Sequence, residues 1–227
     1  PQNKDLIIHT CTCIIEKYTI NTCNCNKKIL RVETTKYLGV MVDNKLSWKQ
    51  HISYLCNKLW KFIYYFKILR DFCDTIILKN IYHALVQSLL QYGILVWGGA
   101  CRTNLQPLRI IQKYIIKIII NKPKDFSTEQ LYKNFPVLDI DQIYKKTTLV
   151  NLFKSTQRTS EHEYSTRQKT RGNLLTHRTN SSFAQRHASY TAIKLYNNLP
   201  KHIKQLKAPH TYKKAIDKWI KSTKNKY

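Results

Sequence analysis

The chain has 227 residues, 43% of them hydrophobic and 11% aromatic, which is enough for buried cores and argues against wholesale disorder. It carries 39 Lys and Arg against 13 Asp and Glu, a formal net charge of +26, so we expect a polyanionic partner. Nucleic acid is favoured over an anionic membrane surface or a merely solvated basic surface. No apolar run approaches the roughly 18 residues of a membrane span, because Lys117 interrupts the longest isoleucine tract.

The N-terminal part of the chain predicts strands. Residues 6–42 are rich in Ile, Thr, Val, Cys and Tyr in short alternating runs, which favours strands and hairpins. Gly39 interrupts an apolar run and indicates a bulge or a close backbone approach. Asp43 and the residue after it predict a turn. We therefore expect a small antiparallel β region at 1–44.

A long helix is predicted next, from Trp48 to Leu69. Its apolar residues are spaced alternately by four and three, which is typical of a helix with one buried face. A core-facing helix is favoured over a coiled coil, since the stripe is short and lacks the flanking charge pattern. Four lysines fall outside the stripe: Lys49, Lys58, Lys61 and Lys67. These lysines are solvated unless nucleic acid lies along the helix.

Two further helices are predicted after it. The second covers about 75–91, and the third begins near Asn104, a common N-cap residue, with Pro107 in the first turn. Five residues would share one side of the second helix: Ile77, Ile81, Leu85, Ser88 and Tyr92.

The helical pattern continues towards the C-terminus. Residues 127–130 fit a capping box, and a helix is predicted over 141–157. Another is predicted over 183–198, ended by Pro200, and a last one over about 211–221.

The predicted fold class is mainly α with a small N-terminal antiparallel β region. Four segments are expected: a β region at 1–44, a helix bundle at 45–157, a basic polar linker at 158–182 and a basic helical segment at 183–227. The charge is densest near the end, because residues 164–227 hold 15 Lys or Arg and a single acid, Asp217.

Catalytic carboxylates are not predicted. A polymerase site needs two or three carboxylates that hold two metal ions about 4 Å apart. The one Asp-x-Asp pair, Asp139 and Asp141, lies at a predicted helix start, where acids stabilise the helix N-terminus. Glu161 and Glu163 fall in the polar linker. We predict no catalytic or metal-binding residue, and a chain that is inactive as an enzyme by itself.

The seven cysteines leave two interpretations open. Their odd number and N-terminal clustering favour a reducing compartment, so we expect a nuclear or cytoplasmic protein that is not secreted. A hairpin could bring Cys11, Cys13, Cys23 and Cys25 together as a zinc site. Their Cys-x-Cys spacing is unusual for zinc, however, and cysteines in strands often act as small buried apolar residues.

A series of short motifs occurs in a fixed order along the chain. The motifs are KYLGV at 36–40, DNKLSWKQHI at 43–52, YHALVQS at 82–88, YGILVWGGA at 92–100, LRIIQK at 108–113, YSTR at 164–167 and LYNNLP at 195–200. Together, in this order and at this spacing, they resemble the region that follows the palm in reverse transcriptases of non-LTR, LINE-type (jockey-like) retrotransposons.

The resemblance implies a role for each segment. Residues 1–44 would be a β-hairpin remnant of the palm with a primer-grip-like strand at 37–40. Residues 45–157 would form a thumb-like helix bundle that closes on the template–primer duplex. The basic C-terminal region would bind the element's RNA and target DNA. The palm and fingers of the same polypeptide, with their Mg²⁺ ions, would precede Pro1, so no cofactor is expected in this chain.

The predicted function is therefore that of a C-terminal fragment of an RNA-directed DNA polymerase that binds RNA and DNA. A free-standing basic helical RNA- or DNA-binding protein and a non-functional remnant of a decayed element are the alternatives. The upstream reading frame would separate them. The predicted nucleic-acid-binding residues are Lys36, Tyr37, Leu38, Gly39, Lys49, Lys58, Lys61, Arg109, Lys113, Arg167, Arg171 and Arg178.

Overall fold

The computed structural model describes residues 6–8, 30–156, 173–176 and 178–222. Within these ranges the chain is mainly helical with a small antiparallel β region near its N-terminus, as predicted. Four short strands form two antiparallel pairs: β1 (Leu6–Ile8) with β2 (Leu30–Val32), and β3 (Thr34–Tyr37) with β4 (Val40–Asp43).

The turn between β3 and β4 corrects one expectation. Its two central residues, Leu38 and Gly39, have φ angles of 45° and 80°, and positive φ at both positions is typical of a type I′ hairpin turn. Gly39 therefore lies at the tip of a hairpin rather than inside a strand. The sequence conceals this turn because the apolar run continues through it without a polar residue.

The helices account for most of the described chain. In order they are α1 (Lys49–Leu69), α2 (Thr75–Tyr82), α3 (Ser88–Gln91), α4 (Ile94–Trp97), α5 (Arg102–Ile119), α6 (Thr128–Asn134), α7 (Ile140–Thr156), α8 (Ser182–Arg186), α9 (Ala188–Asn197), α10 (Lys201–Lys204) and α11 (Pro209–Ser222). The predicted helices at 48–69 and 141–157 are thus confirmed to within about two residues.

The helices α1 and α5 run parallel and form the frame of the bundle. Near their starts, Asn104 Nδ2 donates to the Ser47 carbonyl at 2.9 Å. At their ends, Arg70 Nη1 donates to Asn121 Oδ1 at 3.1 Å. The predicted α1 stripe faces this partner, and its most buried members are Ile52, Leu55, Leu59 and Phe66. The four off-stripe lysines are exposed, as predicted.

The second predicted helix exists, but the five residues predicted to share one side of it are not its buried residues. A π-helical stretch, His83–Gln87, joins α2 to α3. The side chains buried here are spaced by four: Leu78, Tyr82, Val86 and Leu90. Ile77 and Leu85, from the predicted side, are 48% and 39% exposed. A π turn contains more residues than an α turn, so residues that are four apart lie on the same side of this stretch.

The start of α5 also differs from the prediction. Cys101, not Asn104, occupies the N-cap position, so Pro107 lies in the second turn rather than the first. The Asn104 side chain is used in a tertiary contact with Ser47 instead. The sequence does not distinguish the two roles, because an Asn side chain can either cap a helix or form a hydrogen bond with a distant residue.

Two later helix boundaries were predicted only in part. Ser127 does hold the N-cap position of α6, yet its side chain makes no capping hydrogen bond. The predicted helix at 183–198 is divided at His187, whose extended φ and ψ of −61° and 143° end α8 and start α9. The apolar periodicity continues across this break, so the sequence pattern reads as one helix.

The C-terminal helices pack on α7. Phe153 of α7 stacks on Tyr212 of α11 with ring centroids 4.2 Å apart. Lys146 of α7 forms an ion pair with Asp217 at 2.7 Å, so the single acid of the basic tail attaches α11 to the bundle. One hydrophobic core extends from Trp48 to Ile220. Nowhere in the described ranges is a helix both long and apolar enough to span a bilayer.

Candidate nucleic-acid interface

The tip of the β3–β4 hairpin is exposed, and Tyr92 contacts it from the side that faces the protein. Tyr37 and Leu38 are 67% and 73% exposed. The hydroxyl of Tyr92 donates to the Leu38 carbonyl at 2.6 Å, and a Cβ at Gly39 would lie 3.4 Å from the Tyr92 ring. The two motifs at 36–40 and 92–100 are therefore in direct contact, and the tip is presented to solvent in a fixed position.

Asp43 connects the hairpin to α1. Its carboxylate accepts hydrogen bonds from the backbone N–H groups of Ser47 at 2.8 Å and Trp48 at 2.9 Å. Leu46 and Trp48 both have positive φ angles, 49° and 64°, which are costly for residues with a Cβ. Burial opposes ionisation of Asp43, but the N–H donors prevail and hold the pKa of its carboxyl below its ordinary value. The carboxylate thus stabilises an otherwise strained connection.

His51 is the third attachment point of the hairpin. Its Nδ1 accepts the N–H of Met41 at 3.2 Å, and its ring centroid lies 5.6 Å from that of Trp97. The side chain is buried. Burial, together with the nearby charge of Lys58, lowers the pKa of His51 from 6.5 to about 4. The imidazole is therefore neutral at physiological pH, as its acceptor role requires.

We expect the stability of the protein to fall as the pH decreases from 6.5 towards 4. The unfolded chain binds a proton at His51 in this window and the folded chain does not, so the contribution is fully present only above the window. It should decrease by about 2 kcal/mol between about pH 7 and pH 5. Urea unfolding at both pH values measures it. His51→Gln should lose this part of the pH dependence, whereas His210→Gln, at an exposed position, should keep it.

A basic and aromatic surface lies beside the hairpin. Lys36 of β3 lies over the Tyr54 ring, 5.6 Å from its centroid, and Lys58 lies over the same ring at 4.6 Å. A hydrogen bond with Lys58, and the charge of Lys36, lower the pKa of the Tyr54 hydroxyl. Lys61 follows Lys58 by three residues and so lies on the same side of α1. We call Lys36, Tyr54, Lys58 and Lys61 the α1 face.

The α1 face has few negative neighbours on its own helix. Neither α1 nor α5 contains an Asp or Glu. Tyr65, four residues beyond Lys61, continues this line of Tyr and Lys side chains and is 51% exposed. Exposed lysines bind phosphates and exposed aromatic rings stack on bases or sugars, so this surface has the chemistry of a nucleic-acid contact.

Other predicted binding residues lie elsewhere. Lys49 is exposed, but nine residues, about two and a half turns, separate it from Lys58 and place it on the opposite flank of α1. Arg109 forms an ion pair with Asp141 at 2.7 Å with its side chain 19% exposed. Lys113, one turn further along α5, is half-buried.

The remaining predicted residues are in the C-terminal part. Arg178 is exposed. Arg167 and Arg171 lie outside the described residues, as does most of the predicted linker at 158–182. The basic character of the tail is nevertheless visible on α11, whose exposed lysines are Lys213, Lys214, Lys218 and Lys221.

Sequence reasoning missed the residues that position this surface. Tyr54 precedes Lys58 by four residues, and that helical spacing could have identified it. The roles of Asp43, His51 and Tyr92 had no local signal, because each acts on a backbone group in a separate part of the chain or across a strained turn.

The acid pair at the start of α7 does not fit a two-metal polymerase site. Asp139 Oδ1 accepts the N–H of Gln142 at 2.8 Å, which is the predicted capping role, and Asp141 is engaged by Arg109. Among the residues that the structure describes, no group of three or more His, Cys, Asp or Glu side chains could hold a metal ion. Cys11, Cys13, Cys23 and Cys25 lie outside the described ranges.

Part of this chain is similar in sequence to a known polymerase. A stretch of 91 residues, 39% of this chain, is 33% identical to the RNA-directed DNA polymerase from the mobile element jockey of Drosophila funebris. The stretch spans only 10% of that protein. This similarity supports a LINE-type reverse transcriptase region in the chain. No family model matches the chain, and no solved structure does.

Proposed function

We propose that this chain is the C-terminal, nucleic-acid-binding part of a LINE-type RNA-directed DNA polymerase. The observation that carries the proposal is the convergence of Lys36 and Lys58, from a strand and a helix, on the ring of Tyr54. Beside them the hairpin exposes Tyr37 and Leu38. Hairpin tip, α1 face and basic tail would together hold the template–primer.

The chemistry of this surface favours a duplex bound with little sequence preference. Lysine side chains contact phosphates, which position a nucleic acid without reading its bases. RNA–DNA and RNA duplexes have a wide, shallow minor groove that proteins recognise by shape and backbone. The net charge of +26 supplies the long-range attraction to such a polyanion.

The similarity to the jockey polymerase supports the polymerase context. That relative is named as an RNA-directed DNA polymerase, so RNA and DNA are the partners we propose here: the template–primer, the element's RNA and the target DNA. The Asp139 and Asp141 carboxylates already have protein partners. We therefore propose that this chain binds the nucleic acid. The palm and fingers of the same polypeptide would supply the catalytic carboxylates and the Mg²⁺ ions.

The double substitution Lys58→Ala with Lys61→Ala tests the proposal. Loss of two phosphate contacts should weaken binding of an RNA–DNA duplex and reduce the slope of log K against log salt by about 1.4–1.8. Fluorescence anisotropy over a salt series measures both quantities. The matched control is Lys133→Ala with Lys154→Ala, at exposed positions on α6 and α7, which removes the same charge and should keep the slope.

Two results would contradict the proposal. A binding constant that is equal at low and high salt would show that phosphates are not contacted. Equal slopes for the two double variants would show that the α1 face does not touch the duplex, and would move the contact to the basic tail around Arg178.

A further inference from the structure

A cavity of about 930 Å³ lies where the start of α1, the start of α5, the second half of α7 and the helices α8 and α9 meet. Its volume is typical of a site for a small organic ligand. Leu95 and Val96, three and four residues beyond the Tyr92 that supports the hairpin tip, line it. The cavity is therefore close to the proposed duplex-binding surface, yet formed by different residues.

The walls of the cavity combine positive charge with apolar surface. Lys45 and Arg186 line it, and none of the described residues that line it is an Asp or Glu. Leu46, Val96 and Ile193 contribute apolar surface. An anionic ligand with an apolar body is complementary to such walls.

One wall presents an aromatic ring. Phe183 lines the cavity and is 49% exposed. It precedes Arg186 by three residues on α8, so the two side chains lie on one side of that helix. A ring beside a guanidinium is the arrangement on which unpaired bases stack while their phosphates are bound.

Two polar features lie deeper in the cavity. Thr148 is 2% exposed and lines the cavity, so its hydroxyl adds a polar group to the cavity wall. The N-terminus of α5, which has no side-chain cap, reaches the cavity at Cys101 and favours negative charge there.

We infer that this cavity binds an unpaired nucleotide that extends from the end of the bound duplex. The base would stack on Phe183 over the apolar wall, and its phosphate would lie between Lys45 and Arg186. The inference rests on the proposed function, because a duplex held at the hairpin tip would bring its unpaired nucleotide towards the cavity.

The test compares two probes with the full chain. One is a blunt RNA–DNA duplex, and the other is the same duplex with a short single-stranded DNA extension that carries 2-aminopurine. We expect the extended duplex to bind about tenfold more tightly, as for one stacked base, and 2-aminopurine fluorescence to be quenched. Phe183→Leu and Arg186→Gln should each reduce both effects, and Phe183→Leu should leave blunt-duplex affinity unchanged.

The matched control is Phe72→Leu, which removes the same ring from a position that is 82% exposed and outside the cavity; its preference for the extended duplex should equal that of the unaltered chain. Thermal unfolding shows whether each variant remains folded.

Equal affinity for both duplexes would overturn the inference and leave the proposed function standing. It is also the result expected if a segment of this chain or another ligand occupied the cavity. A preference that persists in both cavity variants would overturn it too. Binding of neither duplex would overturn both proposals.

Discussion

Replacing Gly99 with alanine should lower the free energy of unfolding by about 3 kcal/mol, at the upper end of the cost of overpacking. A Cβ at this position would overlap the backbone carbonyl oxygen of Arg186 and lie 3.1 Å from the Tyr144 hydroxyl. That hydroxyl donates to the same carbonyl at 3.2 Å. Neither neighbour can move freely, because one is backbone and the other is a buried side chain.

The consequence should be local to the C-terminal helices. The Arg186 carbonyl ends α8, so displacing it would move the wall that carries Phe183 and loosen α9 from α7. Urea unfolding measures the loss of stability, and limited proteolysis should show earlier cleavage after residue 172. Gly39→Ala is the matched control: its positive φ predicts a cost of about 1–2 kcal/mol, without earlier cleavage there. A Gly99→Ala protein as stable as the unaltered chain would show that this contact is not tight.

Replacing Asp43 with alanine should cost about 2–4 kcal/mol of stability. Two N–H groups would lose a charged acceptor, and the positive φ angles at Leu46 and Trp48 would no longer be stabilised. We also expect weaker binding of the RNA–DNA duplex, because Asp43 fixes the hairpin that carries Lys36 relative to the helix that carries Lys58. Asp43→Asn keeps one acceptor oxygen and should have an intermediate effect.

Equilibrium unfolding and anisotropy titrations measure the two effects on the same samples. The control is Asp71→Ala, because the Asp71 side chain is 65% exposed and pairs with Arg70 at 3.3 Å on the surface. Such a pair contributes about 0–1 kcal/mol, so stability and affinity should change little. If Asp43→Ala weakened neither, the hairpin would have to be held by His51 and Tyr92 alone.

The sequence predicted a helix well where the helix is regular and buries a single face. The alternation of four and three from Trp48 to Leu69 located α1 and its buried stripe, because a single periodic pattern describes a regular helix. The same reasoning did not identify the buried side of α2 and α3, since a π-helical stretch alters the period. It also joined α8 to α9, because His187 interrupts the backbone without interrupting the apolar pattern.

The sequence indicated the residues of the hairpin tip and the lysines of the candidate interface, but not the contacts that join them. Sequence reasoning selected Lys36, Lys58 and Lys61, and the structure places two of them over one ring, that of Tyr54. The same reasoning selected Arg109, which the structure pairs with Asp141. A basic residue on a helix has the same local signature whether it faces a phosphate or a carboxylate, so sequence alone does not separate these cases.

By itself, then, the sequence determined the class of the protein: a mainly helical, strongly basic chain with an N-terminal hairpin and an ordered series of motifs. These properties depend on composition and on residues close together in the chain. Only the tertiary structure decided that the hairpin attaches through Asp43, His51 and Tyr92. It also decided that Phe183 and Arg186 line the cavity beside α7. Those arrangements depend on contacts between distant residues, and the geometry of such contacts is set by packing rather than by any local pattern.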